Sequence, residues 1–230
     1  DARVAVIGGA AKLATLPLRR RLIGAGVMLV GVLFVLLGFF VNLTDGPVHG
    51  DVRVPLGESA ALRIPLGSYT AASLLQHTFD HPLLSNTVRE VGDVAVRGAV
   101  VAMAIAGALA LLSVVVAPLR GLAGTAAGLG LAAVATISGV LFGENTRVTA
   151  DFSHNPQIHV DLGIALWILA VGFAAILAGA ALAALRPLAG LFSGISLALT
   201  GAGLGAALAL VLGGNHLATA ILGAQGMMAP

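Results

Sequence analysis

Residues 118–145, PLRGLAGTAAGLGLAAVATISGVLFGEN, decide the fold. Arg120 opens the stretch, residues 121–143 carry no ionisable group, and Asn145 closes it. At ~1.5 Å per residue such a run, wound as a helix, crosses a hydrocarbon core about 30 Å thick. The pattern recurs. Residues 185–215, LRPLAGLFSGISLALTGAGLGAALALVLGGN, open on Arg186, close on Asn215 and repeat the Leu-Ala-Gly of 122–124 at 188–190. A looser copy runs from Arg21 to Asn42.

Composition agrees with a lipid-facing chain. Of 230 residues, 58% are hydrophobic and 10% charged, and the mean hydropathy is +1.03, outside the range of soluble domains. With no cysteine, disulfides, thiolate metal sites and cysteine nucleophiles are excluded. Net charge is +2, but charges separated by a bilayer do not act as one sum. Arginine outnumbers lysine eleven to one in a background of Ala, Gly, Val and Leu. That bias points to a GC-rich bacterial genome, and so to the inner (plasma) membrane of a bacterium.

Working outward, the expected fold is an all-α integral membrane protein of five transmembrane helices. The divisions are a cytoplasmic arm at 1–21, spans at 22–41, 98–117, 121–142, 162–185 and 188–212, extracytoplasmic loops at 42–97 and 143–161, and an extracytoplasmic tail at 213–230. Span 1 is the most lipid-like, being rich in Leu, Val and Phe. Within 42–97, Val52–Gly57 is echoed by Leu62–Gly67, each alternating apolar and polar residues and meeting a proline, which suits two edge strands of a small β-hairpin. Tyr69 to Asp80 places Leu74, Leu75 and Phe79 at the spacing of a short amphipathic helix. From Asn86, a fitting N-cap, a helix is expected to run into span 2. Pro118 to Gly121 and Arg186-Pro187 are tight turns, so each joins an antiparallel pair. Spans 2 and 3 then resemble spans 4 and 5, as an internal repeat of one helical hairpin.

Orientation follows from the basic residues. With the N-terminus inside, Arg3, Lys12, Arg19, Arg20, Arg21, Arg120 and Arg186 face the cytoplasm with Asp1 as the single acid, and nine acids with five arginines lie outside. Five spans put the C-terminus outside.

No ionisable group falls within the spans, which argues against a proton-coupled pump. A pore would have backbone and hydroxyls to use, Thr136, Ser138, Ser193, Ser196 and Thr200. Glycines four apart, Gly124 and Gly128, Gly190 and Gly194, Gly201 and Gly205, put small residues on one helix face, where a second helix approaches closely. Packing within the chain is the plainer use of them and a docking face for another protein the sharper one. Either makes spans 3 and 5 packing helices rather than lipid-facing ones.

All six histidines, His49, His77, His81, His154, His159 and His216, fall outside in this topology. His77 and His81 stand four apart beside Asp80, and His154 and His159 lie near Asp151 and Asp161, a donor set that suits zinc or copper. The HxxxH lacks the glutamate base of a zinc protease, and Pro82 limits the helix at His81. No cofactor is therefore expected. No serine-hydrolase elbow or phosphate loop is present, and the basic residues lack the aromatic interleaving of a nucleic-acid binder. The first functional reading is a non-catalytic accessory or assembly subunit of a larger envelope complex, of lipid-transport or respiratory type, partnered by the bilayer and by other membrane subunits. It would dock by its glycine-rich faces and the 42–97 loop. The others are a small transporter or channel for a hydrophobic or neutral solute, and an extracytoplasmic metal-binding protein using His77, His81, His154 and His159.

Overall fold

The computed structural model describes residues 18–45, 70–72, 86–151, 161–184 and 187–226. Five long helices build it: α1 (Leu18–Phe40), α2 (Asn86–Val115), α3 (Arg120–Asp151), α4 (Ile164–Ala183) and α5 (Pro187–Gly226). Each contains a stretch long and apolar enough to cross a membrane. The chain is a multi-pass, helical membrane protein. The expected hairpin at 52–67, most of the amphipathic helix at 69–80 and the N-terminal arm up to Pro17 lie outside the described residues.

Helix ends and bilayer ends do not coincide. α3 continues through Glu144, Asn145 and Thr146 to Asp151, and α5 runs past Asn215 to Gly226. The asparagines therefore close the apolar runs but not the helices. Polar side chains end a membrane span because they need water, yet they leave the backbone ladder intact. α2 and α3 are joined by a single 3-10 turn, Ala117–Leu119, with Pro118 in its first positions, and they pack side by side as an antiparallel pair.

Which helix touches which is settled by glycine. α1 lies antiparallel along α4, with Gly24 against Gly179 and Ala183, Gly31 against Gly172 and Ile176, and Gly38 against Leu169. A methyl group at Gly31 would stand 2.6 Å from the Gly172 carbonyl oxygen. The buried residues of α1, Gly24, Met28, Gly31, Val32, Val35 and Gly38, form one stripe, and Leu29, Leu33, Phe34, Leu37 and Phe40 point away from it. α3 and α5 run parallel, and Gly124 meets Gly190, Gly128 meets Gly194 and Gly139 meets Gly205. Each of these pairs is separated by the 66 positions that separate Arg120 from Arg186. α4 rests mainly on α1 and α3 and touches α5 only briefly. The second tight turn therefore does not produce a second packed hairpin like α2–α3, because the glycine faces of α4 and α5 are already taken by α1 and α3.

α3 is the centre of the bundle, with 61% of its span buried against 17% for α5. The expectation that α5 is a packing helix on the same footing as α3 is thus corrected: α5 commits one glycine edge, and Leu188, Phe192, Leu199, Leu210 and Val211 are exposed. Beneath the seams, Phe173 is fully buried among Met28, Met103, Ile137, Leu169 and Ile176. Its ring fills the space beside Gly130 on α3.

One end of the bundle is tied together by backbone. Thr44–Asp45 (β1) and Asp161–Leu162 (β2) form a two-residue antiparallel pair, with Thr44 opposite Leu162 and Asp45 opposite Asp161. The Gly163 N–H donates to Leu43 O at 2.7 Å and the Ala165 N–H to Asn42 O at 3.3 Å. The chain leaving α1 thereby satisfies amides that the first turn of α4 would otherwise leave open. A side chain at Gly163 would collide with the Asn42 and Leu43 backbone, so this strap requires glycine.

Candidate functional site

An apolar groove of about 680 Å3 lies between α2, α3 and α5, on the half of the bundle remote from Arg120. α2 supplies one wall through Ala95, Gly98, Ala99 and Ala102, α3 the floor through Leu129, Ala133 and Thr136, and α5 the other wall through Thr200, Gly201, Leu204 and Leu208. α5 is drawn onto α3 by glycine and α2 also packs on α3, but α2 and α5 barely touch each other, so the space between them over α3 stays open. On the α2 wall, a side chain at Gly98 would meet nothing within 4 Å. A smaller apolar cleft of about 290 Å3 flanks the other side of α2, between Val32, Val35, Phe39, Met103 and Gly107.

The groove holds no free polar chemistry. Thr136 donates its hydroxyl to Ala132 O and Thr200 to Ser196 O, each at 2.9 Å on its own helix. Of the other hydroxyls considered for a pore, Ser138 donates to Val134 O at 2.9 Å, Ser193 bonds Thr125 at 2.8 Å across the α3–α5 seam and Gly190 O at 3.1 Å, and Ser196 is exposed on α5. With their protons given to carbonyls of their own helices, Thr136, Ser138 and Thr200 retain only acceptor lone pairs.

The glycines singled out by four-residue spacing are placed as follows. Gly124 and Gly128 on α3 and Gly190, Gly194 and Gly205 on α5 are buried in or line one shared seam, with helix backbone where their side chains would be. Gly201 lies against Ala132 and also lines the groove. Within the chain each of these faces is filled by the other helix. Arg19, Arg20, Arg21 and Arg120 gather at one end of the bundle, the starts of α1 and α3. Arg20 Nε donates to Leu182 O at 2.9 Å and so caps the last turn of α4. Arg186, His77, His81, His154 and His159 lie outside the described residues, and among those that are described no three metal-ligating side chains come together.

Two features escaped the four-residue search. Gly24, Gly31 and Gly38 on α1, and Gly172 and Gly179 on α4, are seven apart. Seven residues are close to two full turns, so such glycines share a face as surely as those four apart. Gly98 escaped because it follows Arg97 at a polar boundary, where hydropathy alone gives a residue no packing role. Comparison of the chain with protein-family models, with curated proteins and with solved structures finds no match.

Proposed function

We propose that this chain is a non-catalytic accessory subunit of a larger membrane assembly, and that it receives one transmembrane helix of a partner in the groove between α2, α3 and α5. The observation that carries the reading is the bare α2 wall: Ala95, Gly98, Ala99 and Ala102 present small residues three and four apart with open space before Gly98. In lipid, helices associate where small residues let backbones approach, and both main seams of this chain are made that way. The docking surface is thus the groove rather than the glycines of α3 and α5. The absence of free hydroxyls or charge in the groove favours an apolar occupant and weighs against a polar solute.

The host is an envelope complex of a bacterial inner membrane, the N-terminus and the arginine-bearing end face the cytoplasm, and the 66-residue offset between touching glycines reflects duplication of a segment of the chain. A photo-crosslinking residue in place of Leu204, activated in native membranes, tests the docking. A discrete protein adduct, abolished by Gly98→Trp, supports a partner helix. Adducts with lipid alone would replace that reading with the binding of a hydrophobic solute. A cysteine beside Arg120 that reacts with an impermeant reagent from outside would reverse the orientation.

A further inference from the structure

The helices of this bundle meet in two different ways. Within the α1–α4 pair and within the α3–α5 pair, backbone lies where a glycine's side chain would be: the Gly179 and Gly172 oxygens against Gly24 and Gly31, and the Gly190, Gly194 and Gly205 backbone against Gly124, Gly128 and Gly139. Between the two pairs, and between α1 and α2, the neighbour of the glycine is a side-chain tip. The Phe173 ring of α4 faces Gly130 of α3. Leu177 Cδ1 of α4 is 2.9 Å from the place of a methyl group on Gly194 of α5, and Val35 Cγ1 of α1 is 3.4 Å from the place of one on Gly107 of α2. Backbones in contact cannot yield without parting the helices, whereas a side chain can change rotamer.

The backbone seams are also fastened along their length. Arg20 holds α1 to α4 at one end, donating from Nε to Leu182 O at 2.9 Å, and the Gly163 N–H holds them at the other, donating to Leu43 O at 2.7 Å. Thr125 and Ser193 join α3 to α5 at 2.8 Å, and α2 follows α3 closely through the turn Ala117–Leu119. The chain is thus two fastened units, α1 with α4 and α2 with α3 and α5. Where they adjoin, α1 touches α2 only lightly and leaves the cleft of about 290 Å3 beside Val35, Met103 and Gly107. Met103 is fully buried there, and an unbranched thioether fills irregular space and refills it when that space changes shape.

We propose that α1 and α4 shift as one unit against α2, α3 and α5, with Val35, Phe173 and Leu177 sliding over the glycines they face and the cleft between α1 and α2 widening and narrowing as they do. Shear of this kind moves packed helices by ~1–2 Å. A close-packed interior resists such repacking, and the cleft supplies the volume it needs. Its lips, Leu36 and Leu111, are exposed, so hydrocarbon from the bilayer can follow the walls as they part. Lipid tails are as apolar as the walls, and no hydrophobic penalty opposes the opening.

The test is double electron–electron resonance on the full chain in nanodiscs, with spin labels on pairs of introduced cysteines, since the chain has none of its own. The labels replace exposed apolar residues: Leu33 with Val171 reports within α1–α4, Leu122 with Leu199 within the other unit, and Leu33 with Leu109 and Val171 with Leu199 between the units. Both between-unit distance distributions are expected to be about twice as broad as the within-unit ones. Equal widths in all four pairs overturn the proposal. A Leu33–Val171 distribution as broad as those between the units overturns it too, because α1 would then move apart from α4. Gly107→Leu, which puts a side chain into the cleft, is expected to narrow the between-unit distributions to the within-unit width. Undiminished breadth in that variant, with helix content by circular dichroism intact, overturns the cleft as the seat of the movement.

Discussion

Gly31 and Gly172 exclude each other's side chains: a methyl group on Gly31 would stand 2.6 Å from the Gly172 oxygen, and one on Gly172 would stand 2.9 Å from the Gly31 oxygen. The α1–α4 seam is therefore closed by two backbones, and neither can acquire a branch without parting the helices. Gly31→Leu is expected to destabilise the chain by ~1–3 kcal/mol through overpacking. Gly26→Leu, on the open side of the same helix, is expected to change little. Unfolding in mixed sodium dodecyl sulfate micelles, followed by circular dichroism, compares the two. Equal midpoints would contradict the seam.

The α3–α5 seam makes the same demand in a parallel pair. Gly128→Val meets the Gly194 backbone, whereas Gly203→Val meets open space. The first is expected to release α5, which has little other burial, and the second to be silent. Cysteines at Ala132 and Ala202 would report release through their rate of alkylation, since Ala132 is half-buried against Gly201 and Ala202 is exposed. Faster alkylation at Ala132 in the Gly128→Val background alone is the expected pattern.

Gly130 and Phe173 form a size-matched pair. Gly130→Ala is expected to cost ~1–3 kcal/mol because the ring occupies the space beside it. Phe173→Leu in the same molecule is expected to recover part of that cost, although Phe173→Leu alone destabilises by leaving a void. A double-mutant cycle measures the coupling, and additive effects would separate the two residues.

Gly98 is the reverse case. Gly98→Trp fills the groove rather than a seam, so helix content and micellar stability are expected to match wild type while the partner adduct at position 204 disappears. Loss of stability in this variant would mean that the groove wall is part of the bundle's own packing.

The five helices and their order were legible from hydropathy alone, because the bilayer imposes both length and apolarity on a span. Helix ends were less so. At Glu144 and Asn145, and again at Asn215, polarity marks the edge of the hydrocarbon, whereas the backbone stops only where turn chemistry or a partner stops it. Contacts were legible where glycines repeat every four residues, as on α3 and α5. On α1 and α4 they were hidden by the longer seven-residue period and by the Leu and Phe that give α1 its lipid-facing character. Adjacency suggested α5 as the main neighbour of α4, but complementary small faces chose α1. The groove was not legible, since a void depends on how two outer helices diverge from a third.

The seam between α3 and α5 has a mechanical side. From Gly124 to Gly139 it is backbone laid against backbone, with small residues recurring at about the pitch of the helix, and a large side chain, Leu212, seats against α3 only farther along, at Gly143. Two smooth rods in such contact resist being pulled apart far more than being slid along one another. Along the glycine stretch alignment falls to the hydrogen bond between Thr125 and Ser193, 2.8 Å long, which acts as a dowel through the joint. Thr125→Val would leave the rods together while freeing them to shift by a turn.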